Sequence, residues 1–411
     1  GDRSRPHSIS PLPGRRRRTR GRCNPDADHV ATPKQTRRAD WPRHQIGATF
    51  DRLDNDSPHW SDGWYFTPGD DHGDLAFFMG FRLYANNDVL DAFACVSTGG
   101  RQHNMRWSRR LRPRIDDLDC GAMAVEIIEG LRTLRTTAAP NPYGIEFDLT
   151  WEGWSPPYNE DHVLVVRNGR VVTDRSNYDQ CCTVTGWLTV DGHRQEVDGW
   201  TGVRDHSWGI GRNTGGPRSA AIAPDPDPPE PRGHRQWCVF RLPDRTVSWQ
   251  FHHSAAGEYT MLETQCLFPY DDPREPFAYT SVDHEATWRT VDGRRVRRLA
   301  EATVALTRPD GEVERYRIEP ISDPVYLQGG GYWTGWDDQR GRGVYRGDLV
   351  DEGEIWDVSH PVEVVEPKGW TLRPDHYAEA WGRCTNLDDP ADTGTGHLEA
   401  VVLGPYPGFD E

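Results

Sequence analysis

The sequence lacks the features that mark membrane-spanning and secreted proteins. It contains no apolar run of about 18 residues or more, the length that a membrane-spanning helix needs. Residues 1–44 carry the basic run RRRRTRGR (15–22) and almost no apolar residues, so they lack the apolar segment of a secretory signal. We therefore expect a disordered basic extension at 1–44, no stable membrane insertion and a cytoplasmic location.

Motifs for nucleotide and metal cofactors are also missing. There is no GxGxxG, GxxxxGK[ST] or HExxH motif, and the 8 cysteines form no CxxC pair. The adjacent Cys181 and Cys182 lie in the strand-like run CCTVTGWLTV, which indicates buried reduced thiols. A formal net charge of −16 disfavours the phosphate backbone of nucleic acids as a partner of the folded body. The sequence thus predicts no cofactor, no bound metal and no nucleic-acid partner.

The abundant residues indicate strands and tight turns. Gly (41) and Pro (32) are frequent and hydrophobic residues make up only 35%, which suits short strands better than long helices. Asn168-Gly169 and Asp191-Gly192 each stand between apolar runs, the strongest short-range signal of a hairpin. IEFDLTW (145–151) alternates apolar and polar residues, as a half-buried strand does. The best helix-like pattern, GAMAVEIIEGLRTLR (121–135), suits a strand in its middle equally well.

Strand-and-turn patterns fill two parts of the chain. Antiparallel strands in this number close into barrels or sandwiches, which removes exposed sheet edges. We therefore predict an all-β fold with two consecutive antiparallel β-barrels or sandwiches, at 45–214 and 236–411. The segment 215–235 between them is rich in proline and aspartate and is predicted to be a loop or linker. A barrel of about eight strands has room for one small apolar ligand.

The densest polar stretch is GVRDHSWGIGR (202–212). On a strand, residues two apart share a face, so we expect Arg204, His206 and Trp208 to look into one cavity while Asp205 faces the other way. A histidine beside an indole suits proton transfer next to a cation, because imidazole titrates near neutral pH and aromatic faces stabilise cations. The same residue types also suit a hydrogen-bonded structural corner, and both interpretations stay open.

Two other kinds of site are disfavoured. Ser207 is adjacent to His206 and points the opposite way on a strand, and no GxSxG motif exists, so a hydrolase triad is not supported. His252 and His253 are also adjacent and face opposite sides of a strand, so they do not make a metal-binding pair.

GVRDHSWGIGR, preceded by GWLTVDGHRQEVDGW (186–200), resembles the carotenoid 1,2-hydratase (hydroxyneurosporene synthase) superfamily, also called AttH-like. The DH-x-WG signature of that group is matched by Asp205, His206, Trp208 and Gly209. GGGYWTGWDDQRGRGVYRG (329–347) and GHLEAVVLGPYPGF (396–409) resemble its second half. The resemblance is to a branch without assigned function, and more distantly to fungal Diels–Alderases and tocopherol cyclase. It implies two consecutive lipocalin-like β domains.

The resemblance also implies roles for single residues. In the hydratase, the matching histidine and tryptophan take part in protonating a carbon–carbon double bond. Carried over, His206 would transfer the proton and Trp208 would line the cation site. We place Asp205 beside them as a third candidate, paired with Arg204 or Arg212.

One departure from the family pattern concerns the partner acid. The hydratase has a Tyr-x-Asp pair on a following strand, whereas HRQWCVFRL (234–242) has none here. Asp283 with His284, or Glu258 with Tyr259, are the candidates to replace that acid.

These observations predict a cofactor-independent enzyme that acts on an apolar, polyene- or terpenoid-like small molecule. The reaction would be a proton-initiated hydration, isomerisation or cyclisation. The alternatives are a non-catalytic carrier of an apolar ligand and a pericyclase whose cavity only shapes its substrate. Besides Arg204, the candidates for contacting the substrate are Trp64, Tyr65, Trp151, Trp249, Tyr332 and Trp336.

Overall fold

The computed structural model describes residues 37–42, 55–211, 233–360, 364–365, 367–369 and 378–409. The described residues form 22 strands and three short 3-10 helices at Arg37–Asp40, Ala85–Asn87 and Leu327–Gly330, and they include no α-helix. Within these ranges, no helix has the length and apolar character required to cross a bilayer. The predicted all-β class is confirmed, and the strands build two curled antiparallel sheets.

The first sheet has 13 strands and curls until it is nearly barrel-shaped. Its strands are β1 (Trp60–Gly69), β2 (Ala76–Tyr84), β3 (Val89–Thr98), β4 (Arg101–Arg110), β5 (Asp119–Cys120), β6 (Met123–Glu129), β7 (Thr133–Ala138), β8 (Ile145–Gly153), β9 (Tyr158–Asn159), β10 (Val163–Arg167), β11 (Arg170–Val190), β12 (His193–Ile210) and β20 (Leu349–Asp357). They are ordered β20-β4-β3-β2-β1-β12-β11-β8-β7-β6-β5, with β9 and β10 paired to β11.

The second sheet has 9 strands and forms a half-barrel. Its strands are β13 (His234–Arg241), β14 (Thr246–His253), β15 (Tyr259–Leu267), β16 (Ser281–Val291), β17 (Arg294–Thr307), β18 (Val313–Pro320), β19 (Val325–Tyr326), β21 (Ala378–Asn386) and β22 (Thr393–Val402). The order is β15-β14-β13-β22-β21-β18-β17-β16, with β19 paired to β21.

The local patterns of the sequence explain much of the first sheet. Asn168-Gly169 and Asp191-Gly192 join β10 to β11 and β11 to β12, and all four residues have positive φ, as a type I′ hairpin turn requires. The alternating apolar residues of 145–151 are all buried in the core of this sheet. The ambiguous segment 121–135 forms β6 and the beginning of β7 rather than a helix.

Strand β20 crosses from the second half of the chain into the first sheet, where it pairs with β4. Arg106 of β4 is fully buried and binds Glu354 at 2.7 Å and Glu352 at 3.1 Å, both from β20. Arg106 also donates a hydrogen bond of 2.9 Å to the carbonyl of Gly329. These buried contacts attach the segment around 329–357 to the first sheet.

The two sheets pack against each other through an apolar cluster that is separate from the core of each sheet. Tyr65, Phe93 and Val203 of the first sheet meet Trp237 and Val239 of the second. Because side chains alternate along a strand, each of these strands buries one face inside its own sheet and the other between the sheets. The region between the sheets is therefore a packed interface that side chains of both sheets line.

Several sequence predictions lie outside the described residues. They are most of the basic extension at 1–44, Cys23, Arg212 and the loop at 215–232. The domain boundaries predicted from the sequence remain a prediction. All seven cysteines of the described ranges are buried free thiols, as predicted for Cys181 and Cys182.

Candidate functional site

Strand β12 distributes the residues of the DHSW segment over two faces of the first sheet. Arg204, His206 and Trp208 lie on the inner face, beside Trp64 of β1. Asp205 and its neighbour Ser207 lie on the outer face, which packs against the second sheet. The structure thus brings together Arg204, His206 and Trp208 as predicted, and it separates Asp205 from them because adjacent strand residues point to opposite faces.

His206 is fully buried and held on both ring nitrogens. Its Nε2 lies 2.8 Å from Oδ1 of Asp62, and its Nδ1 lies 3.2 Å from the hydroxyl of Tyr178. The rings of Trp64 and Trp208 pack against it with centroid distances of 4.9 and 5.9 Å. These contacts fix the orientation of the imidazole inside the first sheet.

Arg204 forms a buried ion pair with Asp40, at 2.5 Å. The hydroxyl of Tyr178 and the backbone N–H of Leu131 also donate hydrogen bonds to the Asp40 carboxylate. Burial alone would raise the pKa of Asp40, but the charge and hydrogen bond of Arg204, together with His206 and the Tyr178 hydroxyl, hold that pKa below its usual range. The expected pairing of Arg204 with Asp205 is wrong, because the two side chains lie on opposite faces of the sheet.

A second group of polar side chains lies between the two sheets. Asp205 is half-buried there and accepts a hydrogen bond of 3.2 Å from Ser207, which in turn accepts one of 2.6 Å from Arg82. Burial, together with the carboxylate of Glu160, raises the pKa of Asp205 to about 6, although Arg82 acts in the opposite direction.

Two fully buried or nearly buried carboxyl groups lie close to Asp205. Asp179 accepts hydrogen bonds from the Tyr158 hydroxyl at 2.8 Å and from the Trp237 indole N–H at 3.0 Å. Burial and the neighbouring acids Glu160 and Asp205 raise the pKa of Asp179 well above its ordinary value. The second group is the carboxyl of Glu379, whose surroundings also raise its pKa.

Glu379 lies on β21 and accepts a hydrogen bond from the hydroxyl of Tyr65. Burial raises the pKa of Glu379 well above its ordinary value, and the charges of Glu399 and Asp205 add to this effect. The charge of Asp205 therefore contributes to the raised pKa of both Asp179 and Glu379. We refer to these three residues as the carboxyl cluster.

Aromatic rings line the same interface. Tyr65 lies 6.2 Å from Trp237 and 6.4 Å from Phe93, and Phe93 lies 5.7 Å from Tyr332, all between ring centroids. Tyr332 is half-buried and its ring carries the Arg342 guanidinium at 3.4 Å. The predicted residues Tyr65 and Tyr332 thus lie in one region with Asp205.

The remaining predicted aromatic residues lie elsewhere. Trp151 is in the core of the first sheet and donates a hydrogen bond to Thr136, and Trp249 is in the core of the second sheet and donates one to Gln236. Trp336 is buried beneath Arg346, whose guanidinium lies 4.2 Å from its ring centroid. The structure does not bring these three tryptophans together.

The candidates for the missing family acid also lie apart from His206. Asp283 is exposed on β16 and Glu258 is exposed just before β15, whereas the acids near His206 are Asp62 at 2.8 Å and Asp40 at 4.0 Å. Sequence reasoning did not identify Asp62, Asp179 or Glu379. For Asp179 the sequence offers one clue, because the predicted hairpin that joins β11 to β12 places Asp179 on the strand beside Asp205.

Glu379, His397 and Glu399 have potential ligand atoms within 4.8 Å of one another. Arg235 already binds Glu399, and Tyr65 already binds Glu379. Burial lowers the pKa of His397 to about 3, so this imidazole is neutral at neutral pH. The group is a set of partnered side chains at the edge of the carboxyl cluster.

The fold and these contacts define an all-β protein with two curled sheets and an acidic, aromatic-lined interface between them. The chain belongs to a protein family of unknown function (DUF8625), whose sequence model matches residues 35–409. No functionally curated protein matches the chain by sequence.

Solved structures show weak likeness to the whole chain. An AttH-type protein from Nitrosomonas europaea is 13% identical, with a TM-score of 0.49 over 88% of this chain and 96% of that chain. Kievitone hydratase from Nectria haematococca is 12% identical, with a TM-score of 0.45 over 83% and 88%. CghA bound to Sch210972 is 12% identical, with a TM-score of 0.47 over 86% and 91%. These TM-scores are too low to carry over an activity.

Proposed function

We propose that this chain is an enzyme that binds an apolar small molecule between its two sheets and protonates it with the carboxyl group of Asp205. The observation that carries the proposal is the position of Asp205. It is a half-buried acid in an aromatic-lined interface, next to the buried acids Asp179 and Glu379.

The pKa of Asp205 supports a role as a general acid. A catalytic acid works best when its pKa lies near the operating pH, because it is then both protonated and ready to release its proton. Burial raises the pKa of Asp205 to about 6, well above that of an exposed aspartate. The raised pKa values of Asp179 and Glu379 mean that the cluster holds protons where isolated carboxylates would be charged.

The aromatic rings around the cluster favour an apolar substrate and a cationic intermediate. Tyr65 and Trp237 belong to the buried apolar cluster next to the acids, and the half-buried Tyr332 packs against that cluster. An aromatic face attracts a positive charge, so it stabilises the cation that forms when an alkene carbon takes up a proton. Hydration, isomerisation and cyclisation of a polyene- or terpenoid-like compound all begin with that step.

His206 is the rival proton donor within this proposal, because the family resemblance assigns the proton transfer to it. Its ring lies inside the first sheet and contacts Asp62 and Tyr178, on the side opposite to Asp205. A substrate that touches Asp205 therefore does not touch His206. The two neighbouring residues make a matched pair for an experiment.

The experiment incubates the purified chain in D₂O with a mixture of acyclic isoprenoid alkenes and follows the products by mass spectrometry. Protonation at carbon leaves deuterium in the product. We expect Asp205→Asn to lose at least ~10²-fold in rate, whereas His206→Gln and the exposed control Asp198→Asn keep the rate per folded molecule.

Each of the alternative outcomes contradicts a specific part of the proposal. If His206→Gln loses the activity and Asp205→Asn keeps it, the proton comes from the histidine. If a product forms without deuterium and survives Asp205→Asn, the protein is a pericyclase. If wild type binds an alkene and returns it unchanged, the protein is a carrier.

A further inference from the structure

Three histidines from separate strands meet inside the second sheet. His234 begins β13, His253 ends β14, and His284 lies on β16 at the opposite edge of the sheet. The curl of the sheet folds β16 over β13 and β14, so one ring nitrogen of each histidine lies within 4.8 Å of the others. β13 and β14 are consecutive strands, but β16 lies at the opposite edge of the sheet, so no short sequence motif indicates this arrangement.

The ring nitrogens of this group are poorly satisfied within the protein. Among the described residues, neither nitrogen of the fully buried His234 has a hydrogen-bond partner, and neither does Nε2 of His253. A buried polar atom without a partner destabilises the folded protein, so a ligand that binds these nitrogens would recover that loss. His284 is half-buried and gives the group a route to solvent.

We propose that His234, His253 and His284 form a binding site for a divalent transition-metal ion of the Zn²⁺ class. Imidazole nitrogen suits Zn²⁺, Co²⁺, Ni²⁺ and Cu²⁺, and the absence of carboxylates from this ligand group disfavours Mg²⁺ and Ca²⁺. Three protein ligands leave a fourth tetrahedral position for water or a small anion. The site is independent of the carboxyl cluster, which lies on the other face of the second sheet.

The geometry is that of a site whose ligands close around the ion. Nitrogen ligands at about 2.0–2.1 Å from a tetrahedral ion lie about 3.3 Å from one another, so the rings draw together by rotation when the ion binds. Burial lowers the pKa of His253 and His284 to about 4, and the rings are therefore in the neutral form that donates a lone pair.

The surroundings resemble those of a metal-binding histidine. Nδ1 of His253 lies 3.1 Å from the Tyr406 hydroxyl, which leaves Nε2 for the ion and fixes the orientation of the ring. Phe251 and Trp288 pack against His234 with centroid distances of 5.3 and 5.1 Å and form an apolar wall. Such a wall limits the access of water and strengthens the electrostatic effect of a bound cation.

The test uses the full-length chain, stripped with a chelator and then dialysed against Zn²⁺ or Co²⁺. Elemental analysis should find about one tightly bound ion per chain, and Co²⁺ should give the intense visible bands of tetrahedral coordination. His234→Gln and His253→Gln should weaken binding by at least about tenfold, and Tyr406→Phe by about tenfold.

The matched control is His252→Gln. His252 is adjacent to His253 but faces the other side of the strand, where it accepts a hydrogen bond from Arg235. If His234→Gln fails to fold, His284→Gln replaces it, because His284 is half-buried and lies on an edge strand. Wild type that binds no more metal than His234→Gln, His253→Gln or His284→Gln overturns the proposal. A loss with His252→Gln equal to that with His253→Gln overturns it as well.

Discussion

Asp205 and His206 are neighbours on one strand, yet their side chains lie on opposite faces of the first sheet. Asp205 faces the second sheet, and His206 contacts Asp62 at 2.8 Å inside the first. The pair therefore divides the DHSW segment between an outer face that carries Asp205 and an inner face that carries the hydrogen-bonded His206.

We predict that His206→Leu lowers the free energy of unfolding by about 3 kcal/mol, because it removes the ring that binds the buried Asp62 carboxyl. Denaturant unfolding followed by fluorescence measures the change. His206→Gln keeps an N–H donor and should cost less than His206→Leu. Equal losses in the two variants would show that the contact with Asp62 contributes little.

The Arg204–Asp40 pair should be a strong determinant of stability. Arg204→Met leaves the buried Asp40 carboxylate without its cation and should destabilise the protein by about 3–5 kcal/mol. Arg194 pairs with Glu196 on the same strand but is exposed, so Arg194→Met should change stability by no more than about 1 kcal/mol. Similar effects of the two substitutions on the unfolding midpoint would argue against a buried ion pair.

The activity should decrease as the pH rises through about 6. The pKa of Asp205 is raised from 3.8 to about 6 in the folded protein, so the protonated acid that the reaction needs is lost above that pH. The free energy of unfolding should also decrease as the pH rises, because a carboxyl group whose pKa is higher in the folded state favours that state when it is protonated. A pH profile of kcat/KM measures the effect, and any residual activity of Asp205→Asn should lack this limb.

Gly69 of the first sheet lies against Trp381 of the second sheet, so a substitution there tests the contact between the sheets. A Cβ at this position would lie 2.3–2.5 Å from the indole of the buried Trp381, across the interface. Gly69→Ala should therefore cost about 1–3 kcal/mol of stability through overpacking. Trp381→Phe makes space, and a double-mutant cycle should show a coupling of at least about 0.5 kcal/mol. Additive effects would mean that the two residues are not in contact.

The hairpins of the first sheet could be predicted because their signals are local. Asn168-Gly169 and Asp191-Gly192 tolerate the positive φ that a tight turn needs, wherever they occur. The alternation of 145–151 likewise reports burial on one face of a strand. The segment 121–135 stayed ambiguous, because a short apolar run suits a helix or a strand until packing partners are known.

The candidate sites could be predicted only in part, for the same reason. Strand alternation placed Arg204, His206 and Trp208 on one face and Asp205 on the other. It could not show that Asp62 would contact His206, since that partner comes from another strand.

The strand class, the turns and the face on which each strand residue lies follow from the sequence alone, because they depend on backbone preferences and on neighbours along the chain. Which strands meet depends on the tertiary structure. It brought Asp179 and Glu379 to Asp205, and it joined His234 with two histidines from other strands. Such contacts depend on how the sheets curl and pack, and long-range packing leaves no periodic trace in a single sequence.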